Sequence, residues 1–580
     1  MCGILGGNIK NWNYQNGIEA IRHRGPNDQK VVSYHACTLG FARLSIMDLS
    51  EAAMQPFATT DGNVVILFNG EIYGFQKLRK KLSEKYDFRT TSDTEVILYA
   101  YMEYGNNFIN LIDGMFAIVI YDKRVEQLKL YRDRYGVKPL YYLYKNDKFA
   151  FTSELKGFMA ACNNKSEFQI DNTSIYDYLA YQYIPEPKSM YKDVFKLEPA
   201  SYLFYDLRKK KIVKKGNYWH LHVSTRAHGG RKKSDILEDI RFLIKQSVEK
   251  QMVADVPVGT FLSGGVDSSI ISYECKKVNP SIESFSIGFQ EKAADESRYA
   301  KRVSDYCNIN NKTEIISLND VNAIKGTLEK LYDEPFADTS AYPTYILSEF
   351  ARRSATVVLT GDGADELFGG YGRYHMFYEQ RKGKHLKSLA LEKMAAKFFD
   401  GALLGLCESE LTTYSKLIGM FEEQKLSSWK KTLNIEKDYE LDWHLRKYYH
   451  KELPNMTRMR YLDFKTYLPG DILTKVDRTS MSVSLEARVP FLDRELVEYV
   501  FSLAEDECYY NGELKTLLKA AYEDVLPKDI LYRKKKGFSV PNAYIPQGSD
   551  TKYSFILKQE WKELVSDVKS GKKEKIYNHN

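Results

Sequence analysis

The sequence predicts two domains, an α+β unit followed by an α/β unit whose C-terminal part is helical. Three observations carry this prediction: short β-rich runs before residue 216, a composition shift near residues 221–234, and strand–helix alternation after it. The chain has 580 residues, several times the roughly 150 typical of one domain. With 43% hydrophobic and 28% charged residues it can bury large cores and does not have a disordered composition.

The first unit is expected over 1–215. Its runs TLGFARLSI, VVILFNG, GMFAIVIYD, QLKLYRD and PLYYLY are separated by Gly, Asn and Asp turn signals. The segment LHVSTRAHGGRKKS interrupts that pattern, and a linker is expected over 216–234. The second unit, 235–580, opens on DILEDIRFLIKQSVEKQM, with apolar residues at 236, 240, 243 and 244 on one helical face. Three strand-to-loop junctions follow: VPVGTFLSGGVDSS, IESFSIGF and ATVVLTGDGADE. They predict a mostly parallel sheet with a ligand site at the carboxyl ends of its strands. From about residue 375 the pattern is mainly helical.

Charge and cysteine usage exclude several functions. Lys plus Arg number 84 against 77 Asp plus Glu, too small a surplus over this length to point to nucleic acid or an anionic membrane. The longest apolar stretches, such as 115–121, fall far short of the ~20 residues of a membrane helix, and no secretory leader pattern is present. The seven cysteines form no CxxC pair and no zinc-like spacing, so most are expected to be buried, reduced thiols. A cytoplasmic enzyme acting on small molecules is expected.

Cys2 stands apart. Removal of Met1 would leave a residue carrying both a thiol and an α-amine, whose reference pKa of about 7.7–8.0 suits a general base. Asn69 and Gly70 end the apolar run VVILF, where a side-chain amide and a backbone N–H can face one oxygen; taken alone, NG is a hairpin turn. Arg43 offers a planar fork for a carboxylate and Asp93 an acceptor for an ammonium; by themselves they read as an exposed strand residue and a helix N-cap.

RHRGPND at 22–28, FARLSIMD at 41–48, FNGEIYG at 68–74 and TSDTEVI at 91–97, together with the initial MCGI, resemble the glutamine amidotransferase domain of the N-terminal nucleophile class. The resemblance implies an Ntn-hydrolase αββα sandwich in which Cys2 attacks glutamine's amide to give a thioester and ammonia. It also implies an oxyanion hole at Asn69 and Gly70, and a glutamine site of Arg43, Leu44, Ile46, Asn69, Gly70, Glu71 and Asp93. Gly74 stands where that family often has Asn, outside the proposed hydrogen-bonding pair.

In the second unit SGGVDSS at 263–269 follows a strand and opens a helix, a cradle for phosphate; a Walker A loop is absent. SGGVDSS resembles the pyrophosphate loop of ATP pyrophosphatases, which split ATP between the α- and β-phosphates. This implies ATP binding by Leu262, Ser263, Gly264, Gly265, Asp267, Ser268, Ile287, Thr360 and Gly361, with Mg²⁺ held by Asp267 and Asp365.

With KVDRTSMSVSLEARVPFLD at 475–493, nearly the whole chain resembles the glutamine-hydrolysing asparagine synthetases. That implies adenylation of aspartate and attack by ammonia, with L-glutamine, L-aspartate and ATP as substrates and a homodimeric assembly. Lys515 in NGELKTLLKA matches the family's lysine near the adenylate. The family commonly reads SGEGSDE where this chain has TGDGADE, so Asp362 stands in place of a catalytic glutamate and is one methylene shorter. The acceptor therefore stays open between aspartate and another carboxylate, such as a sugar acid. Glu366 and Arg373 are further candidates to contact it, and RKKKGF at 533–538 reads either as a family feature or as a solvated face.

Overall fold

A computed structural model describes the chain except for Met1 and residues 225–230, 382–409, 420–422, 511–512, 535–536, 538–539, 542–543 and 545–580. The first unit is built on two six-stranded antiparallel sheets. Strict alternation explains why they stack. In strand Val64–Ile72 every residue is buried: Val65 and Leu67 face Ile4, Leu39 and Phe41 of the other sheet, while Val64, Ile66 and Phe68 face Val96, Ile97 and Ala100 of helix Asp93–Tyr104. On the far side Leu5 and Ala42 pack on Ile18 of helix Tyr14–Ala20 and on Leu155 and Phe158 of helix Leu155–Ala161. The order of layers is helix, sheet, sheet, helix, the expected αββα sandwich. Strand Gly3–Gly7 lies within one sheet, which brings Cys2 beside Asn69 of strand Val64–Ile72 in the other.

Strand Lys211–Asn217 runs two residues into the expected linker, and helix Lys233–Gln251 begins two residues before its expected end. Trp219 and Ser224 lie against the second unit: Trp219 donates from Nε1 to Glu498 at 2.8 Å, and the Ser224 N–H reaches the Phe501 carbonyl. Helix Lys233–Gln251 buries Ile236, Ile240, Ile244 and Val248, the face its periodicity predicts.

The second unit holds a five-stranded, wholly parallel sheet. Its order is Asn310–Ile316, Glu283–Phe289, Val258–Phe261, Val357–Leu359, Glu486–Arg488. Chain order thus reverses between Val258–Phe261 and Val357–Leu359, and in such sheets ligands bind at the carboxyl ends beside that reversal. SGGVDSS and TGDGADE follow these two strands. After Arg381 the described residues are mainly helical, including Asn455–Lys465 and Thr474–Met481.

A buried charge network joins the units. Arg24, fully buried, grips Asp477 with both arms at 2.8 and 2.9 Å and also reaches Glu154 at 2.8 Å. Arg478 pairs with Glu154 at 2.8 Å and Asp333 at 3.3 Å, and Lys156 bridges the same two carboxylates. Charges this far from water are held only by mutual pairing, so the network fixes the register of one domain on the other.

Candidate active sites

In the first unit the nitrogen of Cys2 donates to Asn69 Oδ1 at 2.8 Å, and its Sγ lies 3.9 Å from the Leu44 carbonyl. Burial pushes the Cys2 thiol above its usual value, so it needs a base to become a nucleophile. Arg24 donates from Nε to the Cys2 carbonyl at 3.2 Å, which ties Cys2 to the interdomain network. Asn69 is completely buried and its Nδ2 has no hydrogen-bond partner among the described residues. Folding rarely tolerates an unpaired buried donor, and an oxyanion formed beside Cys2 would satisfy it. The next residue must be glycine: a Cβ on Gly70 would meet the Met115 carbonyl oxygen at 2.0 Å.

Glu71 and Asp93 are buried on the same side. The cap of helix Asp93–Tyr104 is Ser92, which accepts from Thr94; Asp93 is the first helical residue and accepts the Ile72 N–H at 3.0 Å. It is therefore not the N-cap that its sequence position allows. Burial pushes the Asp93 carboxyl up to about 6, and burial followed by the charges of Asp93 and Glu486 pushes Glu71 well up. Arg43 is also buried rather than exposed, and its fork donates to the carbonyls of Ser50, at 2.7 Å, and Asp48. It thus shapes the loop after FARLSI. Leu44 and Ile46 are buried beside it, and the Ile46 carbonyl accepts the Asp255 N–H from the second unit.

In the second unit the loop after strand Val258–Phe261 closes on itself. Ser268 Oγ accepts the Ser263 N–H at 3.1 Å, and Ser263 Oγ accepts the Gly265 N–H at 3.3 Å. Gly264 sits at φ 70°, and a Cβ there would meet the Tyr299 backbone at 2.4 Å. Helix Val266–Val278 has no side-chain cap, which leaves its first N–H groups to an anion. Leu262 is buried beneath the loop, and Ile287 packs its side chain into the sheet's core, so only its main chain is left to line a nucleotide.

The second loop packs directly on the first: a Cβ on Gly361 would lie 2.9 Å from Asp267 Cβ. Thr360 is buried at its start, and its N–H donates to the Arg488 carbonyl. Across them lies Lys515, whose Nζ is 2.5 Å from both Asp267 and Asp365. Lys515 has φ 56°, in the left-handed region where a side chain is strained, and such strain persists where surrounding structure enforces a functional geometry. The local sequence gives no hint that this lysine is buried.

Asp362 faces a cluster that sequence reasoning missed. Lys475 pairs with Asp338 at 3.1 Å; burial pushes Asp362 up and Asp471 up to about 8. Arg533 was also legible only as part of a basic run. It donates to the Gly264 carbonyl at 3.0 Å, pairs with Glu296 at 2.5 Å and lies over the Tyr299 ring, so at this residue RKKKGF is no solvated face. Arg373 is half-buried and its Nε donates to Asp463 at 3.0 Å, a partner that competes with the expected acceptor contact. Glu366 turns toward the Tyr371 hydroxyl, which donates to it at 2.7 Å, and burial raises it to about 7.

These two constellations have counterparts in known proteins. The glutamine amidotransferase domain model matches residues 1–219, and the asparagine synthase model matches residues 239–573. The chain belongs to the glutamine-hydrolysing asparagine synthetase family. It is 35% identical over 539 residues to asparagine synthetase (glutamine-hydrolyzing) 1 of Bacillus subtilis, covering 90% of this chain and 83% of that one. It is 28% identical over 557 residues to asparagine synthetase (glutamine-hydrolyzing) 3 of the same organism, covering 91% and 84%. It is 27% identical over 598 residues to amidase chry2 of Gibberella zeae, covering 92% and 86%. As a member of this asparagine synthetase family the chain is an ATP-dependent ligase that takes its nitrogen from glutamine. Among the described residues, no helix is long and apolar enough to cross a membrane.

Proposed function

We propose that the chain converts L-aspartate to L-asparagine through an aspartyl-AMP intermediate, using ammonia released from glutamine at Cys2, with AMP, pyrophosphate and glutamate as co-products. The single observation that carries this reading is the convergence of Lys515 on Asp267 and Asp365, between two loops at the sheet's switch point, in a chain whose other domain holds Cys2 beside the unsatisfied Asn69. In this reading the glutaminase spans 1–215 and the synthetase 235–580. The enzyme is cytoplasmic, which the six unpaired cysteines of the described residues suit, and homodimeric, as the family resemblance implies.

The α-amine of Cys2, exposed by loss of Met1, takes the thiol proton; the thiolate attacks glutamine's amide carbon, and Asn69 Nδ2 with the Gly70 N–H receive the oxyanion. Arg43 orients the substrate's carboxylate and Asp93 with Glu71 its ammonium. Ammonia leaves, and water hydrolyses the thioester. In the synthetase, the 263–268 loop cradles the β- and γ-phosphates. Lys515 stabilises charge developing on the transferring phosphoryl and carboxyl oxygens, and Asp362 acts at the amide-forming step. The chemistry needs AMP because hydroxide leaves a carboxylate poorly. Asp267 and Asp365 fit Mg²⁺, since both already converge on one cationic atom and a hard cation takes two carboxylates plus phosphate oxygens. Bound there, it would neutralise triphosphate charge.

The test is AMP release from Mg-ATP and glutamine with a panel of acceptors. Aspartate-dependent AMP with stoichiometric asparagine is expected. Glutamine hydrolysis with AMP released only on a different carboxylate would replace aspartate, and would make the shorter Asp362 the residue that sets acceptor choice.

A further inference from the structure

The edge strand of the synthetase sheet, Glu486–Arg488, enters the glutaminase site. Its main chain belongs to the nucleotide side: it pairs with strand Val357–Leu359, and the Arg488 carbonyl accepts the Thr360 N–H at 2.9 Å. Its side chain points the other way. Arg488 is 1% exposed; Nε donates to Glu486 at 2.6 Å, and Nη1 donates to the carbonyls of Gln251 and Val253 at 2.6 and 2.7 Å. Nη2 has no hydrogen-bond partner among the described residues and lies 3.8 Å from Glu71 Oε2.

Three of the five guanidinium N–H groups are therefore spent fixing the fork, and the remaining two are aimed at a carboxylate two residues beyond Asn69. We infer that Arg488 is a positioning residue of the glutaminase, supplied by the synthetase domain, which holds Glu71 in place to receive glutamine's ammonium. This rests on the glutamine site proposed above. The electrostatics agree in direction: burial, then Asp93 and Glu486, oppose ionisation of Glu71, and Arg488 is the first of the groups that favour it. A lone pair of buried acids would neutralise itself by taking up protons and lose its hold on an ammonium. The interdomain contact is thus part of the substrate site, so the glutaminase is incomplete without strand Glu486–Arg488.

The test is steady-state glutaminase kinetics of the full-length Arg488→Gln, Arg488→Lys and Glu71→Gln proteins and of the Glu71→Gln/Arg488→Gln double variant. Ammonia-dependent AMP release on whichever acceptor proves active serves as the fold control. Arg488→Gln is expected to raise KM for glutamine about tenfold, the size of one lost charge-assisted contact, with kcat changed less than about threefold. Arg488→Lys, which keeps the charge and is the milder change to the core, should recover part of that loss. In the Glu71→Gln background Arg488→Gln should add nothing, because the two act through one carboxylate. An equal rise in that background, an unchanged KM in the single variant, or ammonia- and glutamine-dependent activities falling together would overturn the inference. Should Glu71→Gln itself leave KM unchanged, the glutamine site has been misplaced and the inference fails with it, which the other outcomes distinguish.

Discussion

Asn69→Ala separates catalysis from stability. Among the described residues the Asn69 side chain makes one bond, accepting the Cys2 N–H at 2.8 Å, while its Nδ2 is buried without a partner. Leaving a buried donor unsatisfied costs about 1–3 kcal/mol, and the accepted bond contributes about 1 kcal/mol, so truncation removes a penalty roughly as large as the bond it breaks. Folding stability should therefore move by no more than about 2 kcal/mol in either direction once a small cavity is included. Transition-state stabilisation has no such compensation. One missing oxyanion donor costs about 2.7–4 kcal/mol, so glutamate release should fall by a factor on the order of 10²–10³ in kcat. KM for glutamine should change little, because the charge forms only after attack. The assay is steady-state glutamate release, paired with urea unfolding of the same preparation. A kcat within tenfold of the parent in a folded Asn69→Ala protein would refute the assignment of Nδ2 to the oxyanion.

Cys2→Ala should abolish glutamine-dependent synthesis and leave ammonia-dependent synthesis intact; loss of both in a folded protein would contradict two separate sites. Asp477→Asn leaves Arg24 buried with half its counter-charge, and breaking a pair of this kind costs about 3–5 kcal/mol. A clear fall in the urea midpoint is expected, and an unchanged midpoint would show that the network adds no net stability. Glutaminase kcat/KM should drop as pH falls through about 6, because Asp93 takes up a proton there and Glu71, raised by burial and then by Asp93 and Glu486, is no longer charged either, which leaves no carboxylate charge to hold an ammonium. An acid limb unmoved in Asp93→Asn would assign that titration to another group.

What the sequence showed depended on distance along the chain. Cys2, Asn69 and the SGGVDSS loop stood out because each sits in a short motif in or beside a strand, where local spacing and the chemistry of the residue types agree. Burial faces followed from periodicity, as in Ile236, Ile240 and Ile244 of helix Lys233–Gln251. Partnerships were not legible. Arg24 and Asp477 are 453 residues apart, and nothing near either announces the other. Lys475 and Arg488 lie in a stretch whose motif suggested family membership but whose side-chain targets depend on tertiary packing. The partner of Arg373 was hidden for the same reason: nothing in the local sequence shows that Asp463 accepts from its guanidinium.

The central claim is that nitrogen cut from glutamine at Cys2 becomes the new amide made at Asp362. The most direct measurement supplies glutamine labelled with ¹⁵N at its side-chain amide, Mg-ATP and L-aspartate together with excess unlabelled ammonium, and reads the side-chain nitrogen of asparagine by mass spectrometry. Asparagine carrying ¹⁵N well above the bulk ammonia pool is the expected result. Asparagine labelled only to the level of the bulk pool, or no asparagine at all while glutamate and AMP accumulate, would contradict the account.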